Sequence, residues 1–212
     1  MQTAIFFLFH SERHLPFETT QLGLVPCGTQ IAAAQPLNQR FAVLAYGSNA
    51  SPGQLLRKYQ KHRLNNVPVL FGRLVGAEAV YARRTAGNGS YVPATLARKK
   101  GSRPSWITLL TGEQFEAMNA SEGRPDAYEL AELTKAKFFV GKRQVTPLYA
   151  YVNVLNGVMI LEDNPVSLRS ARQKRAKSLL ASTTGEDAAN WLDFVTIPNP
   201  NPPAQYSQIL KP

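Results

Sequence analysis

Two short segments of this sequence hold residues whose types and spacing could do chemistry. The first, Tyr46-Gly47-Ser48-Asn49, follows an apolar run and precedes Ser51-Pro52-Gly53-Gln54. That second stretch is typical of a helix start, because serine caps the first turn and proline suits the first helical position. Gly47 can take a positive φ or let a ligand approach the backbone. Amides of the turn and of the helix start would then face one point, which predicts an anion site, while a well-capped connection without a ligand is the alternative.

The second segment is Met118-Asn119-Ala120-Ser121-Glu122-Gly123. Upstream, Thr111-Gly112-Glu113-Gln114 has the pattern of a capping box, which predicts a helix from about Gly112 to Ser121 or Glu122, with Gly123 as its stop. Glu122 would then lie in the last turn, at the negative end of the helix dipole. This is an unusual place for a surface carboxylate and a useful one for a general acid/base, although a solvated Glu at a frayed helix end is the alternative.

The elements that must position these segments are mostly strands. Apolar runs bounded by Gly and Pro predict strands, and a hairpin turn is predicted at Gly141-Lys142. A basic helix is predicted from about Val166 to Ser182, followed by an extended proline-rich tail. The predicted strands are Phe41–Tyr46, two runs within Val67–Ala82, Tyr91–Ala97, Trp106–Leu110, Tyr128–Leu133 continuing towards Val140, and Gln144–Val154.

Length and composition predict one domain spanning residues 1–212, with a core at about 41–182 and extensions at 1–40 and 183–212. The 212 residues are 44% hydrophobic and 18% charged, which is ordinary for a globular protein. The apolar run Ala4–Phe9 is too short for a membrane span or a signal peptide, so we expect a buried strand or helix start in a cytoplasmic protein. Cys27 is alone, so neither an internal disulfide nor a thiolate-cluster metal site is possible.

The order of these features resembles the γ-glutamylcyclotransferase-like family. In that family a strand is followed by a Y-G-S-N loop, which Leu44–Asn49 matches closely. The family's L-D-x-x-E-G segment carries the catalytic glutamate, and Met118–Gly123 matches it with Met for Leu and Asn for Asp. The resemblance covers about residues 41–155, and Ala94–Leu96 and Trp106–Leu110 fall where the family has further strands. It implies an α+β fold in which a mixed twisted sheet curls into a small β-barrel with flanking short helices.

The resemblance also implies a reaction, the cyclisation of a γ-glutamyl amide to 5-oxoproline with release of the amine. Glu122 would be the general acid/base. Because the substrate's own α-amine attacks its γ-carbonyl, neither a side-chain nucleophile, a metal nor a cofactor is required. Backbone donors of the loop would bind the substrate carboxylate or the oxyanion. The residues implied to bind substrate are Tyr46, Gly47, Ser48, Asn49, Ala50 and Tyr128.

Two other functions stay open at this stage. One is a catalytically silent protein of the same fold that only binds a small anion, although the presence of Glu122 argues against it. The other is association with nucleic acid, because the net charge is +10 and basic residues cluster in two places. Aromatic residues do not interleave with the basic ones, so nucleic acid is not the favoured partner, and no membrane partner is expected. The clusters are Arg98-Lys99-Lys100 with Arg103, and Arg169, Arg172, Lys174, Arg175 and Lys177 on the predicted helix.

Overall fold

The computed structural model of this chain describes residues 40–50, 52–60, 67, 69–87, 89–122 and 127–198. Eleven strands lie in these ranges and form two sheets. The strands are β1 (Phe41–Ala45), β2 (Val69–Tyr81), β3 (Ala94–Leu110), β4 (Tyr128–Leu133), β5 (Lys137–Val140), β6 (Arg143–Val145), β7 (Tyr149–Asn153), β8 (Val158–Leu161), β9 (Asn164–Pro165), β10 (Thr184–Glu186) and β11 (Phe194–Thr196).

The larger sheet is mixed and has eight strands in the order β11-β4-β7-β1-β3-β2-β5-β6. Strand β1 lies inside it, antiparallel to β3 and parallel to β7. All five β1 residues are buried, as expected for a short apolar strand covered on both faces. The sheet curls into a half-barrel, and β8, β9 and β10 form a separate three-stranded sheet.

Four short helices accompany the sheets in the described part of the chain, and they are α1 (Pro52–Gln60), α2 (Gly112–Ser121), α3 (Gln173–Leu179) and α4 (Ala188–Trp191). Because side chains alternate along a strand, the two faces of β1 join different hydrophobic clusters. Phe41 and Val43 pack with residues of α1 and α2, whereas Ala42 and Leu44 face the other cluster, formed largely by the long strands. Helices α1 and α2 therefore cover one face of the sheet, where the candidate site lies.

Helix α2 begins with the capping box that the sequence predicts. The Gln114 amide donates to Thr111 Oγ1 at 3.3 Å, and the Thr111 amide donates to Gln114 Oε1 at 3.0 Å. Phe115 then stacks on Phe41 of β1, with ring centroids 4.4 Å apart. The capping box sets where α2 begins, and the stacking of Phe115 holds the helix against β1. The C-terminal cap residue of α2 is Glu122.

The structure confirms the α+β class with a mixed curled sheet and short helices. Two predicted strands, Tyr91–Ala97 and Trp106–Leu110, were wrong as separate elements, because β3 runs unbroken from Ala94 to Leu110. Its polar middle lacks the apolar pattern of a strand, yet it pairs with β2 along nearly the whole length. The hairpin at Gly141-Lys142 is confirmed, with Gly141 at φ 60° between β5 and β6.

The predicted helix from Val166 to Ser182 was also wrong in its first part. The Val166 amide donates to the Met159 carbonyl at 2.9 Å, and the Leu168 amide donates to the Ala79 carbonyl at 3.1 Å. These cross-chain hydrogen bonds hold the segment beside β2 and β8, so the helix starts only at Gln173. The predictions for Ala4–Phe9, the Ser51 cap, the Gly123 stop and the C-terminal tail after residue 198 lie outside the described residues.

Loss of the α2 cap should destabilise the protein. In Thr111→Ala the Gln114 amide loses its side-chain acceptor, so we expect the free energy of unfolding in urea to fall by about 1 kcal/mol. Glu116→Ala is the matched control, because Glu116 is exposed in the middle of the same helix. It should change the same quantity by less than about 0.5 kcal/mol. An equal effect of both substitutions would contradict the role of the cap.

Candidate active site

The loop after β1 makes a tight turn towards α1. Residues Gly47–Ala50 form one turn of 3-10 helix, and Gly47 has a φ of +59°. A Cβ at Gly47 would lie 3.1 Å from the Cβ of Ala94, so the turn passes close to the start of β3. A positive φ and a close neighbour both favour glycine at this position. Gly47 and Ser48 are exposed, so their backbone is open to solvent.

Glu122 faces this loop from the end of α2. Asn49 Nδ2 donates to Glu122 Oε1 at 3.0 Å. The ammonium of Lys58, on α1, forms a salt bridge with the same oxygen and donates to Asn49 Oδ1 at 2.8 Å. The side chains of Lys58 and Glu122 are only 14% and 10% exposed. The turn, α1 and α2 therefore meet at one nearly buried carboxylate.

Two tyrosine hydroxyls lie near this carboxylate. The Tyr128 hydroxyl donates to the Ala94 carbonyl at 2.9 Å, whereas the buried Tyr59 hydroxyl has no hydrogen-bond partner in the described part of the chain. Burial raises the pKa of both phenols, and the negative charge of Glu122 raises both further. The positive charge of Arg84 and a hydrogen bond with the Asn153 side chain oppose the rise in the pKa of Tyr128. Both phenols are therefore neutral at physiological pH.

Tyr46 occupies a different position from the rest of the loop. Its ring packs against the hydrophobic cluster on the face of the sheet opposite α2, and its hydroxyl donates to the Tyr151 carbonyl. It also lines a small cleft of about 70 Å³, whose other lining residues include Glu78 and Arg103 but not Glu122. The hydrogen bond of Tyr46 therefore links the end of β1 to β7, on the face of the sheet opposite α2. Ala50 ends the 3-10 turn, on the chain just before α1.

A further contact ties α2 to the sheet. The Tyr151 hydroxyl donates to Asn119 Oδ1 at 2.6 Å. Asn119 stands where the related motif has Asp, and an amide oxygen serves equally well as the acceptor of this hydroxyl. Asn at this position therefore keeps a hydrogen bond between α2 and β7.

Sequence reasoning missed Lys58 as a member of this site. Its signal was its position three residues after buried Leu55 on α1, which places both side chains on one side of the helix. Asn153 was missed as well, although it continues the alternation of buried Tyr149 and Tyr151 along β7. A polar residue on a buried, otherwise aromatic face was the available signal.

The two basic clusters do not form one surface of unpaired positive side chains. Arg98 Nε lies 2.9 Å from Asp193 Oδ2, and Lys99 Nζ and Arg103 Nε lie 3.6 and 3.8 Å from the Glu78 carboxylate. Only Lys174, Arg175 and Lys177 of the second cluster lie on α3, because Arg169 and Arg172 precede it. The prediction of five positive charges on one helix was therefore wrong. Acidic partners neutralise part of the first cluster, which weakens the case for nucleic acid.

Among the described residues no group of three or more His, Cys, Asp or Glu side chains is arranged to hold a metal ion. In the same ranges no helix has both the length and the apolar character needed to cross a membrane.

Comparisons with known proteins find similarity only at the level of structure. No protein-family model matches the sequence, and no curated protein does. A solved structure named gamma-glutamyl cyclotransferase is 16% identical, with a TM-score of 0.42 over 53% of this chain and 66% of that one. YkqA from Bacillus subtilis is 12% identical, with a TM-score of 0.45 over 69% of this chain and 56% of that one.

One of these two structures carries the name of the family that the sequence resembles. This chain spans just under two thirds of the first structure and a little over half of the second. The likeness is one of fold. What this chain does must be argued from its own residues.

Raised tyrosine pKa values predict a loss of stability at alkaline pH. The folded protein keeps Tyr128 protonated above the ordinary value of 10.0, at which the phenol ionises in the unfolded chain. The resulting stabilisation is complete below that pH and is lost as pH rises further, because the unfolded state then gains tyrosinate. Urea denaturation at a series of pH values should show a shallower alkaline decline for Tyr128→Phe. Tyr91→Phe, at a half-exposed position, is the control, and its free energy of unfolding should decline with pH as steeply as that of the wild type. The same steepness in Tyr128→Phe would contradict this account.

The ion pair at the site should couple Lys58 and Glu122. Lys58→Met leaves a nearly buried carboxylate with Asn49 as its remaining described donor, so we expect a loss of about 3 kcal/mol in the free energy of unfolding. Adding Glu122→Gln removes the uncompensated charge. The double variant should therefore be more stable than Lys58→Met alone, with a coupling of about 1 to 3 kcal/mol in denaturant titrations. Strictly additive effects would show that the pair has no energetic link.

Proposed function

We propose that this protein cyclises a γ-glutamyl amide to 5-oxoproline and releases the amine. The observation that carries the proposal is the hydrogen bond from Asn49 Nδ2 to Glu122 Oε1, at 3.0 Å. It joins the two segments that sequence reasoning singled out separately, and the turn beside this carboxylate is exposed at Gly47 and Ser48. A general base next to backbone donors is the minimum that this reaction requires.

Glu122 is the proposed base and acid. Contacts from Asn49 and Lys58 both go to Oε1 in the described part of the chain, so Oε2 is the oxygen proposed to take the proton. The α-ammonium of the substrate gives a proton to Oε2, and the free amine attacks the γ-carbonyl carbon. As the bond between that carbon and the leaving nitrogen breaks, the same proton passes from Glu122 to the leaving amine. The ionised carboxylate then takes the second proton from the attacking nitrogen, so that 5-oxoproline leaves as a neutral amide, and this proton passes to the released amine, which ends as an ammonium.

The turn at Gly47–Asn49 is the proposed site for negative charge on the substrate. Gly47 and Ser48 are exposed, and the backbone N–H groups of the turn are proposed to bind the substrate carboxylate or the oxyanion that forms during attack. The ring-closing step is intramolecular, so holding the substrate's α-amine close to its γ-carbonyl supplies much of the rate enhancement. The site must therefore favour a substrate conformation in which these two groups lie together. Tyr128, neutral at physiological pH, is proposed to contact the substrate through its hydroxyl.

The proposal is tested by measuring 5-oxoproline after incubation with a panel of γ-glutamyl amides. The wild type should release 5-oxoproline and free amine in equal amounts from at least one of them. Glu122→Gln keeps the shape of the side chain but cannot take a proton, so its turnover number should be about 100- to 10,000-fold lower.

Glu116→Gln is the matched control, because it makes the same chemical change at an exposed position on the same helix. It should keep wild-type activity, and thermal unfolding of each variant shows that the fold is intact. Absence of product across the panel, or equal activity in Glu122→Gln, would refute the proposal. Anion binding without turnover would instead identify the catalytically silent alternative.

A further inference from the structure

Strands β3, β2 and β5 present exposed aromatic residues on one side of the large sheet. Phe71 and Arg73 are two positions apart on β2, so their side chains point to the same side. Phe71 lies opposite Trp106 of β3, and Arg73 lies opposite Phe139 of β5. Residues directly opposite each other on paired strands also share a side. These four side chains therefore form one surface, which we call the aromatic face.

Two ring contacts organise the aromatic face. Phe71 is 50% exposed, and its ring centroid lies 4.7 Å from that of Trp106, with 55° between the ring planes. The guanidinium carbon of Arg73 lies 5.5 Å from the centroid of the Phe139 ring, which is a cation–π contact. Trp106 and Phe139 are only partly buried, and Arg73 is exposed. The aromatic face thus presents three rings and a guanidinium at the surface of the protein.

The charge of the aromatic face is positive. Lys137 of β5 adds a second exposed cation, because it lies opposite Val75, two positions after Arg73 on β2. None of the salt bridges among the described residues involves Arg73 or Lys137. The one acidic residue of β2, β3, β5 and β6 is Glu78, which lines the cleft on the opposite side of the sheet together with Leu74. No carboxylate of these strands therefore offsets the two cations.

We propose that the aromatic face, with Lys137 at its border, binds single-stranded nucleic acid. Unpaired bases stack on aromatic rings and on guanidinium planes, and the two cations attract the phosphates that link the bases. A neutral apolar partner would gain nothing from the cations, and a merely acidic peptide would gain nothing from the rings. Charge and rings together therefore favour a nucleic-acid strand. The inference is independent of the proposed reaction, because none of these residues belongs to the candidate active site.

The test is fluorescence anisotropy with labelled oligouridine and oligothymidine of about 12 nucleotides, a length within the range that single modules cover. The wild type should bind at least one of them, and the affinity should fall as salt rises, because binding releases counterions. A preference for one strand tells whether RNA or DNA is the better ligand. A duplex hides its base faces and should bind about 10-fold more weakly or worse. Absence of binding to both single strands, or equal binding of the duplex, would overturn the proposal.

Substitutions at Phe71 separate stacking from simple apolar contact. Phe71→Tyr keeps a ring and should keep the wild-type affinity, whereas Phe71→Leu has no ring and should bind about 5- to 100-fold more weakly. Tyr91→Leu is the matched control, because Tyr91 is 48% exposed and lies outside the strands. It should bind like the wild type, and thermal unfolding shows whether each variant is folded. Wild-type affinity in Phe71→Leu would overturn the stacking role.

A charge variant separates local phosphate contact from the overall positive charge. Arg73→Gln should lower the slope of log affinity against log salt by about 0.7, the value for one phosphate contact to a single strand. Arg175→Gln removes the same charge from an exposed position on α3 and should leave the slope unchanged. Equal effects of the two substitutions would show that only net charge matters, and would overturn the aromatic face as the binding surface.

Discussion

The whole site depends on one carboxylate that three segments share. Asn49 donates to Glu122 across 73 positions of sequence, and Lys58 pairs with it across 64. Residues of α1 and α2 pack on the sheet through apolar side chains. The hydrogen bond and the salt bridge at Glu122 add the polar contacts that join the turn, α1 and α2. A nearly buried carboxylate is costly unless it is paired and hydrogen-bonded, so the same contacts that make the site also hold it together.

Some buried polar atoms have no hydrogen-bond partner in the described part of the chain. They include Arg40 Nε, Arg84 Nε and the Tyr59 hydroxyl, and the negative charge of Glu122 contributes to the raised pKa of Tyr59. A stable core avoids such groups, and binding sites tolerate them because a ligand supplies the missing partner.

The sequence predicted the turn and both ends of α2, but few of the contacts between distant elements that bring the site together. The turn after β1, the Thr111 cap and the end of α2 follow from residues within one or two turns of each other, so short-range chemistry decides them. Lys58 enters the site through contacts between distant elements, which only the packing of α1 against α2 and the turn brings about. The same cause explains the error over β3, whose polar middle is a strand because β2 pairs with it.

The central claim is that the substrate's own amine displaces the leaving amine at this site, and water does not. Turnover of a γ-glutamyl amide in water enriched in heavy oxygen tests it most directly. Cyclisation forms and breaks carbon–nitrogen bonds only, so mass spectrometry should find 5-oxoproline without heavy oxygen. Glutamate carrying one heavy oxygen atom from the solvent would show hydrolysis instead and would contradict the account.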